Sequence, residues 1–216
     1  MTDNFDTLLF DLDGTLTDST EGIVRCLEYA LERMGFDIPE DTNKFLGPPL
    51  YRSFAEFCGM NEEQVNEAVR IFRERYSTVG LFENRVYEGV PEMLKRLRDG
   101  GKRIMVATSK PEVYAVRIFD RFGLSQFFEI VGGANINGTR NDKDEVIEYV
   151  LGKAGISDRS SVLMIGDRRQ DVIGAHKTGL KCMGILWGFG SIEELTEAGA
   201  DFIAETPIKA ADMLLQ

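Results

Sequence analysis

The sequence predicts an α/β fold, a doubly wound parallel sheet carrying an inserted all-helical segment, and three features predict it. Strand-like and helix-like segments alternate from about Tyr87 to Ala204. A short apolar run near the N-terminus stops abruptly at a pair of acids, and residues 19–80 between the two show helical periodicity only. Strands alternating with helices build a parallel sheet covered on both faces, and the first strand must join it because alone it buries nothing. Residues 1–17 and 82–216 are therefore expected to form a Rossmann-like core, and residues 18–81 a helical insertion.

The elements follow in order. Phe5 to Phe10 reads as a buried strand ending in the turn Asp11-Leu12-Asp13-Gly14. Ile23, Leu27, Ala30, Leu31 and Met34 recur at helical spacing, and Gly35 ends that run. Gly47-Pro48-Pro49 breaks the chain before Leu50. Asn61 with Gln64 reads as a capping box opening a helix whose apolar stripe is Val65, Val69, Phe72 and Tyr76. Beyond Gly100-Gly101, strands are expected at residues 102–107, 128–131, 162–165, 182–186 and 201–204. Helices are expected at residues 113–122, 142–154 and 171–178.

Composition excludes several classes. Apolar residues make up 43% and charged residues 28%, as in ordinary globular proteins. No apolar run reaches the roughly 18 residues that span a membrane, and the N-terminal residues MTDNFDT lack the basic start and apolar stretch of a signal peptide. A cytoplasmic location is expected. A formal charge of -11 argues against nucleic acid and anionic membranes as partners. The three scattered cysteines, Cys26, Cys58 and Cys182, form no paired spacing and read as reduced, buried thiols. With the single histidine His176 and no Cys-x-x-Cys pair, zinc is not expected.

In doubly wound folds the ligand site lies beyond the carboxyl ends of the strands. Three polar sets fall there: Asp11 and Asp13, Thr108 and Ser109, and Gly166-Asp167. Asp11 and Asp13, two apart on extended backbone, point to the same side. The pair suits a nucleophile beside a proton-transfer group, or, taken alone, a solvated turn. Asp167 and Asp171 share one helical side, and each also suits an ordinary helix start. Together with Asp11 they would gather at least three carboxylates, a set that calls for a divalent cation. Oxygen-only ligands point to Mg²⁺. Thr108 and Ser109 offer hydroxyls and N–H groups to a phosphate, or a helix cap before Pro111. Lys143, at a helix start where the dipole disfavours a cation, suits neutralisation of a phosphate or nucleophile, or is a solvated surface lysine. Lys110 competes for that role.

These residues resemble the haloacid-dehalogenase superfamily: the run Asp11 to Ser19 (DLDGTLTDS), then Thr108, Lys143 and Gly166 to Asp171 (GDRRQD) in the family's order. The likeness covers nearly the whole chain. It is strongest to the phosphoglycolate-phosphatase-like branch, with its helical cap inserted after the first motif. Gly188-Phe189-Gly190 and Glu193-Glu194-Leu195 are similar to that branch too. The resemblance implies a catalytic core and a cap that excludes bulk water. It implies that Asp11 attacks phosphorus to form an aspartyl-phosphate, and that Asp13 protonates the leaving oxygen and then activates water. Thr108, with Ser109, would bind phosphate oxygen, and Lys143 would support the nucleophile and the transferred group. Mg²⁺ would be held by Asp11, the main-chain carbonyl of Asp13 and Asp167, with Asp171 bound directly or through water.

The implied function is hydrolysis of a small phosphomonoester, with phosphoglycolate, a nucleoside monophosphate or a sugar phosphate as substrate. Arg52, beside Tyr51, is the selectivity residue expected in the cap. The acid at Asp13 separates this chain from the dehalogenase members. The lysine-free helix of residues 21–34 counts against phosphonatase chemistry, although Lys44 keeps it open. A sugar phosphomutase is an alternative, disfavoured because His176 falls far along the chain in a core helix. A non-enzymatic phospho-aspartate signalling module is another, disfavoured by the helical insertion and by Asp13.

Overall fold

The computed structural model describes residues 4–137 and 139–216. Residues 1–3 of the polar N-terminus, and Gly138 of the irregular loop that precedes Lys143, lie outside the described residues. The chain divides into two compact units, one of Met1–Thr17 with Val86–Gln216 and one of Asp18–Arg85.

The first unit is built on a six-stranded parallel sheet in the order β5-β4-β1-β6-β7-β8. Its strands are β1 (Thr7–Phe10), β4 (Arg103–Pro111), β5 (Ile130–Ala134), β6 (Val162–Gly166), β7 (Lys181–Ile185) and β8 (Phe202–Ala204). β1 and β6 are buried at every position, as parallel strands covered on both faces must be. β1 lies between β4 and β6, with Phe10 opposite Val106 on one side and Ile165 on the other. The chain thus fills the sheet outward from β1 in both directions, so the switch point lies at the carboxyl end of β1. Helices α4 (Val90–Asp99), α5 (Glu112–Phe122), α6 (Lys143–Ala154), α7 (Arg169–Lys177), α8 (Ile192–Glu197) and α9 (Pro207–Leu214) complete the unit. Val146, Ile147 and Val150 of α6 pack with Met105 of β4 and Met164 of β6 in the core.

The structure moves several expected boundaries. β5 starts at Ile130 rather than Phe128, because Phe128 closes a short 3₁₀ turn over Ser125–Phe127. β4 runs on to Pro111, so Thr108 and Ser109 lie within the strand and Pro111 itself is the N-cap of α5. The sequence reading places no helix at α4, α8 or α9.

The second unit carries α1 (Thr20–Met34), α2 (Leu50–Cys58) and α3 (Glu62–Tyr76). Gly35 closes α1 at φ 70°, in the left-handed region where glycine is unstrained. The Asn61–Gln64 capping box opens α3, with both reciprocal hydrogen bonds formed. Aromatic packing of Phe45 against Phe54 and Phe57, with centroids 5.9 and 5.2 Å apart, anchors the 3₁₀ turn Thr42–Phe45 to α2. Two short strands, β2 (Thr17–Asp18) and β3 (Arg85–Val86), pair where the chain passes from one unit to the other and back.

Candidate active site

The chain leaves β1 at Asp11 and folds immediately into a tight loop. The N–H of Leu16 donates to the Leu12 carbonyl at 2.8 Å, and that of Gly14 to the Thr17 carbonyl at 2.8 Å. Gly14 needs its missing side chain twice over: its φ is 84°, and a Cβ there would lie 2.2 Å from Asp167 Oδ2. The same loop places Thr15 so that its hydroxyl donates to Asp167 Oδ1 at 3.0 Å.

Asp167, one residue past β6, is fully buried. Its Oδ2 accepts the Phe189 N–H at 2.8 Å. That approach explains two of the glycines in Gly188-Phe189-Gly190. A Cβ at Gly188 would lie 2.2 Å from the Gly14 carbonyl oxygen, and one at Gly190 1.8 Å from that of Asp167. Trp187 clamps the loop from the same side, donating its indole N–H to the Thr15 carbonyl at 2.9 Å.

Lys143 is the first residue of α6, whose start is closed by the Asp142–Glu145 capping box. Its side chain is buried, and its ammonium forms ion pairs with Asp11 Oδ1 at 3.0 Å and Asp171 Oδ1 at 2.7 Å and donates to the Ala107 carbonyl at 3.0 Å. Burial alone would depress the ammonium, but the charges of Asp11 and Asp171 outweigh it and hold the group above its ordinary pKa. A protonated lysine therefore bridges the acids that end β1 and open α7. Asp171 also accepts the Arg168 N–H at 3.0 Å.

Asp11, Asp167 and Asp171 bring carboxylate oxygens within 4.8 Å of one another. Burial first, and then the charges of Asp171 and Asp11, push Asp167 up to about 8. With all three carboxylates ionised, as metal ligands are, the one ammonium leaves two negative charges without a counterion. That excess, on hard oxygen donors, fits a divalent cation of the Mg²⁺ kind.

The remaining sequence-selected residues fall as follows. Asp13 is outside the carboxylate cluster; its Oδ2 accepts from the ammonium of Lys110. The two lysines are thus divided, Lys143 on Asp11 and Lys110 on Asp13. Thr108 is buried, and its hydroxyl oxygen accepts the Lys110 N–H at 3.2 Å, while Ser109 is half-buried. His176 sits on α7 with Nε2 3.0 Å from Asp201 Oδ2. Arg52 belongs to the helical unit, where it pairs with Glu56 at 2.8 Å. Cys26 and Cys182 are buried and Cys58 is half-buried, and none of the three is in a disulfide. No helix among the described residues is long and apolar enough to cross a membrane.

Sequence reasoning did not single out Thr15 or Trp187 as parts of the site. Thr15 stands inside the first motif, where it reads only as part of that pattern. Trp187, the sole tryptophan, carried no local signal beyond its place before the glycine-rich segment.

A parallel sheet whose central strand ends in a carboxylate cluster bridged by a buried lysine is the arrangement of one class of hydrolase, and comparison places the chain there. Residues 8–185 match the model of the haloacid dehalogenase-like hydrolases, and the chain belongs to that family. It is 44% identical over 190 residues to a 5′-nucleotidase of Pseudomonas aeruginosa, covering 87% of this chain and 86% of that one. It is 37% identical to the tyrosine-protein kinase PtkA of Mycobacterium tuberculosis, over 92% of this chain and 65% of that longer one. The crystal structure of a predicted phosphatase from Clostridium acetobutylicum superposes with a TM-score of 0.94 at 40% identity, covering 98% of this chain and 99% of that one. The protein is a phosphoric monoester hydrolase of this family.

Proposed function

We propose that the chain is a Mg²⁺-dependent phosphatase that hydrolyses a small phosphomonoester through an aspartyl-phosphate on Asp11. The observation that carries this reading is the buried Lys143 bridging Asp11 and Asp171, with Asp167 in the same cluster and Asp13 two residues beyond the nucleophile. Asp11, the main-chain carbonyl of Asp13, Asp167 and Asp171 would hold the ion. Mg²⁺, when bound, supplies charge neutralisation for the phosphoryl oxygens. Lys143 holds Asp11 in place and offsets charge on the transferred group. Thr108 and Ser109 are the phosphate-binding hydroxyls, and Asp13 gives a proton to the leaving oxygen and takes one from water. Residues 18–81 act as the cap that sets substrate choice, with Arg52 as the selectivity residue.

The substrate class best supported is a nucleoside 5′-monophosphate, because the 5′-nucleotidase likeness, at 44%, exceeds the 27% likeness to a phosphoglycolate phosphatase of the same organism. The test is steady-state hydrolysis of nucleoside 5′-monophosphates and phosphoglycolate, with Mg²⁺, with Ca²⁺ and in EDTA. Mg²⁺ should support turnover and EDTA should stop it. Ca²⁺ should inhibit, since it takes more ligands at longer bonds. Full activity in EDTA refutes the metal requirement, and a higher kcat/KM for phosphoglycolate refutes the nucleotide assignment. The likeness to PtkA favours one second reading, phosphoryl transfer to tyrosine, which ATP-dependent labelling of a tyrosine peptide would reveal.

A further inference from the structure

Asp13 has two carboxylate oxygens in unlike surroundings. Oδ2 accepts from Lys110, whereas Oδ1 is buried with no hydrogen-bond partner among the described residues. A buried carboxylate oxygen without a partner is costly. Shielded from bulk water, it is satisfied when substrate brings a donor or acceptor to it. We propose that Lys110 is a positioning residue: by holding Oδ2 of Asp13 it presents Oδ1 as the oxygen that exchanges the proton with the leaving group and the attacking water.

The backbone around Lys110 is shaped for this. The pairing of β4 with β5 slips between Thr108 and Pro111, an irregularity of the kind that re-aims a side chain. Gly133 of β5 lets the strands approach there, since a Cβ would lie 2.5 Å from the Lys110 carbonyl oxygen and 2.8 Å from Glu112 Cα. Arg140 then locks the irregularity: its Nε donates to the Gly133 carbonyl at 2.8 Å, and its Nη2 pairs with Glu112 Oε2 at 3.2 Å. On the other side the Lys110 N–H donates to Thr108 Oγ1 at 3.2 Å. The lysine side chain is buried, like that of Lys143, so its hold on Asp13 is not diluted by water.

The inference rests on the aspartyl-phosphate reading, in which the steps balance as follows. Asp11 attacks phosphorus, the bond from phosphorus to the leaving oxygen breaks, and that oxygen takes the proton from Asp13 Oδ1. Water then attacks the acyl-phosphate, its proton goes to Oδ1, and the bond from phosphorus to Asp11 breaks, releasing inorganic phosphate. A good leaving group needs no proton in the first step, but the second step needs Oδ1 whatever the substrate was.

The experiment is rapid-quench kinetics of wild type, Lys110→Met and Lys110→Arg with a nucleoside 5′-monophosphate and with para-nitrophenyl phosphate. For Lys110→Met we expect kcat on the nucleotide to fall about 100-fold, with KM little changed. With para-nitrophenyl phosphate the first step should stay near the wild-type rate, so phosphoenzyme accumulates as a burst. Lys110→Arg should recover most of the lost rate, and should supply the leaving-group comparison if the methionine variant fails to fold. A tenfold rise in KM with kcat retained would overturn the proposal, because Lys110 would then hold substrate phosphate. Equal slowing on both substrates without a burst would overturn it as well. A wild type that traps phospho-Asp11 beside an unaltered Lys110→Met overturns this inference alone. A wild type with no trappable phosphoenzyme overturns the aspartyl-phosphate reading, and this inference with it.

Discussion

In the doubly wound unit the ion pairs at the carboxyl end of β1 are buried: Lys143 and Asp171 meet with side chains 4% and 1% exposed. In the helical unit Arg70 pairs with Glu67 at 61% and 47% exposed, and Arg52 with Glu56 at 70% and 50%. Surface pairs are screened and contribute little, whereas a charge left unpaired in the interior is expensive. The first unit therefore places charge where folding alone would not put it, and the second spreads charge where folding tolerates it. Chemistry should therefore be sought among the buried charges, and selectivity on the helical surface. Substitutions among the buried charges should damage the reaction for every substrate, and those on the helical surface should at most re-rank substrates.

The largest expected effect is at Asp11. Asp11→Asn preserves shape but replaces the proposed nucleophile by an amide, so turnover should drop below about one-thousandth of wild type while the circular dichroism spectrum is unchanged. Substantial activity in a preparation shown free of deamidation would remove the covalent mechanism.

Lys143→Met should come next, and it breaks both sides of the comparison at once. It strips Asp11 and Asp171 of their shared partner, at a cost of about 3–5 kcal/mol in stability. It should also lower kcat about 100- to 1000-fold for all substrates alike. Denaturant melts and kcat on two unlike substrates would measure the two effects, and a wild-type kcat would transfer the role to Lys110.

A third effect is visible only without metal. Asp167 keeps its proton up to about 8 in the folded chain, against 3.8 for its ordinary value. Between those pH values the folded state binds the extra proton, so stability falls as pH rises through the window and is level below it. In EDTA, Tm should drop on the order of 10 °C from pH 5 to pH 8. If Mg²⁺ binds at Asp167 as proposed, a saturating concentration should reduce the slope, because the ion would bind the folded state and take the proton's place. Asp171 is raised to about 6 by burial and adds slope below that pH, so Asp167→Asn should flatten the EDTA profile between about pH 6 and pH 8, and a profile that keeps its slope there would assign the titration elsewhere.

Much of the first unit was legible because its signals are local. β1 and β6 are continuous apolar runs that stop at acids, and α6 begins at a capping box. The misses have physical reasons. α4 carries Val90, Met93, Leu94 and Leu97 at helical spacing with proline at its start, a signal present but short and placed just after a chain crossing. α9 is only eight residues long. The bond from Trp187 to Thr15 and the partition of two lysines between two aspartates depend on residues 172 and 97 positions apart, which no window on the sequence brings together. In the helical unit the periodic stripes were read, but they report what α1 and α3 bury and say nothing of what an exposed arginine recognises.

Arg52 is the smallest and sharpest test of that last point. Its side chain is 70% exposed and paired with Glu56 one helical turn on, so Arg52→Ala should leave Tm unchanged. If the helical unit sets substrate choice through this arginine, the substitution removes a charge-assisted contact to the part of the substrate beyond the phosphate. The ratio of kcat/KM for a nucleoside 5′-monophosphate to that for phosphoglycolate should then shift by about tenfold, with kcat on para-nitrophenyl phosphate unchanged. That last control matters because para-nitrophenyl phosphate shares only the phosphoryl group with the nucleotide, so it reports the buried site and not the helical surface. A ratio equal to wild type would leave Arg52 as a solvated helix residue whose partner is Glu56. Equal losses on all three substrates would instead mean that the arginine serves the shared phosphoryl group, and the division between a chemical unit and a selective one would fail at this residue.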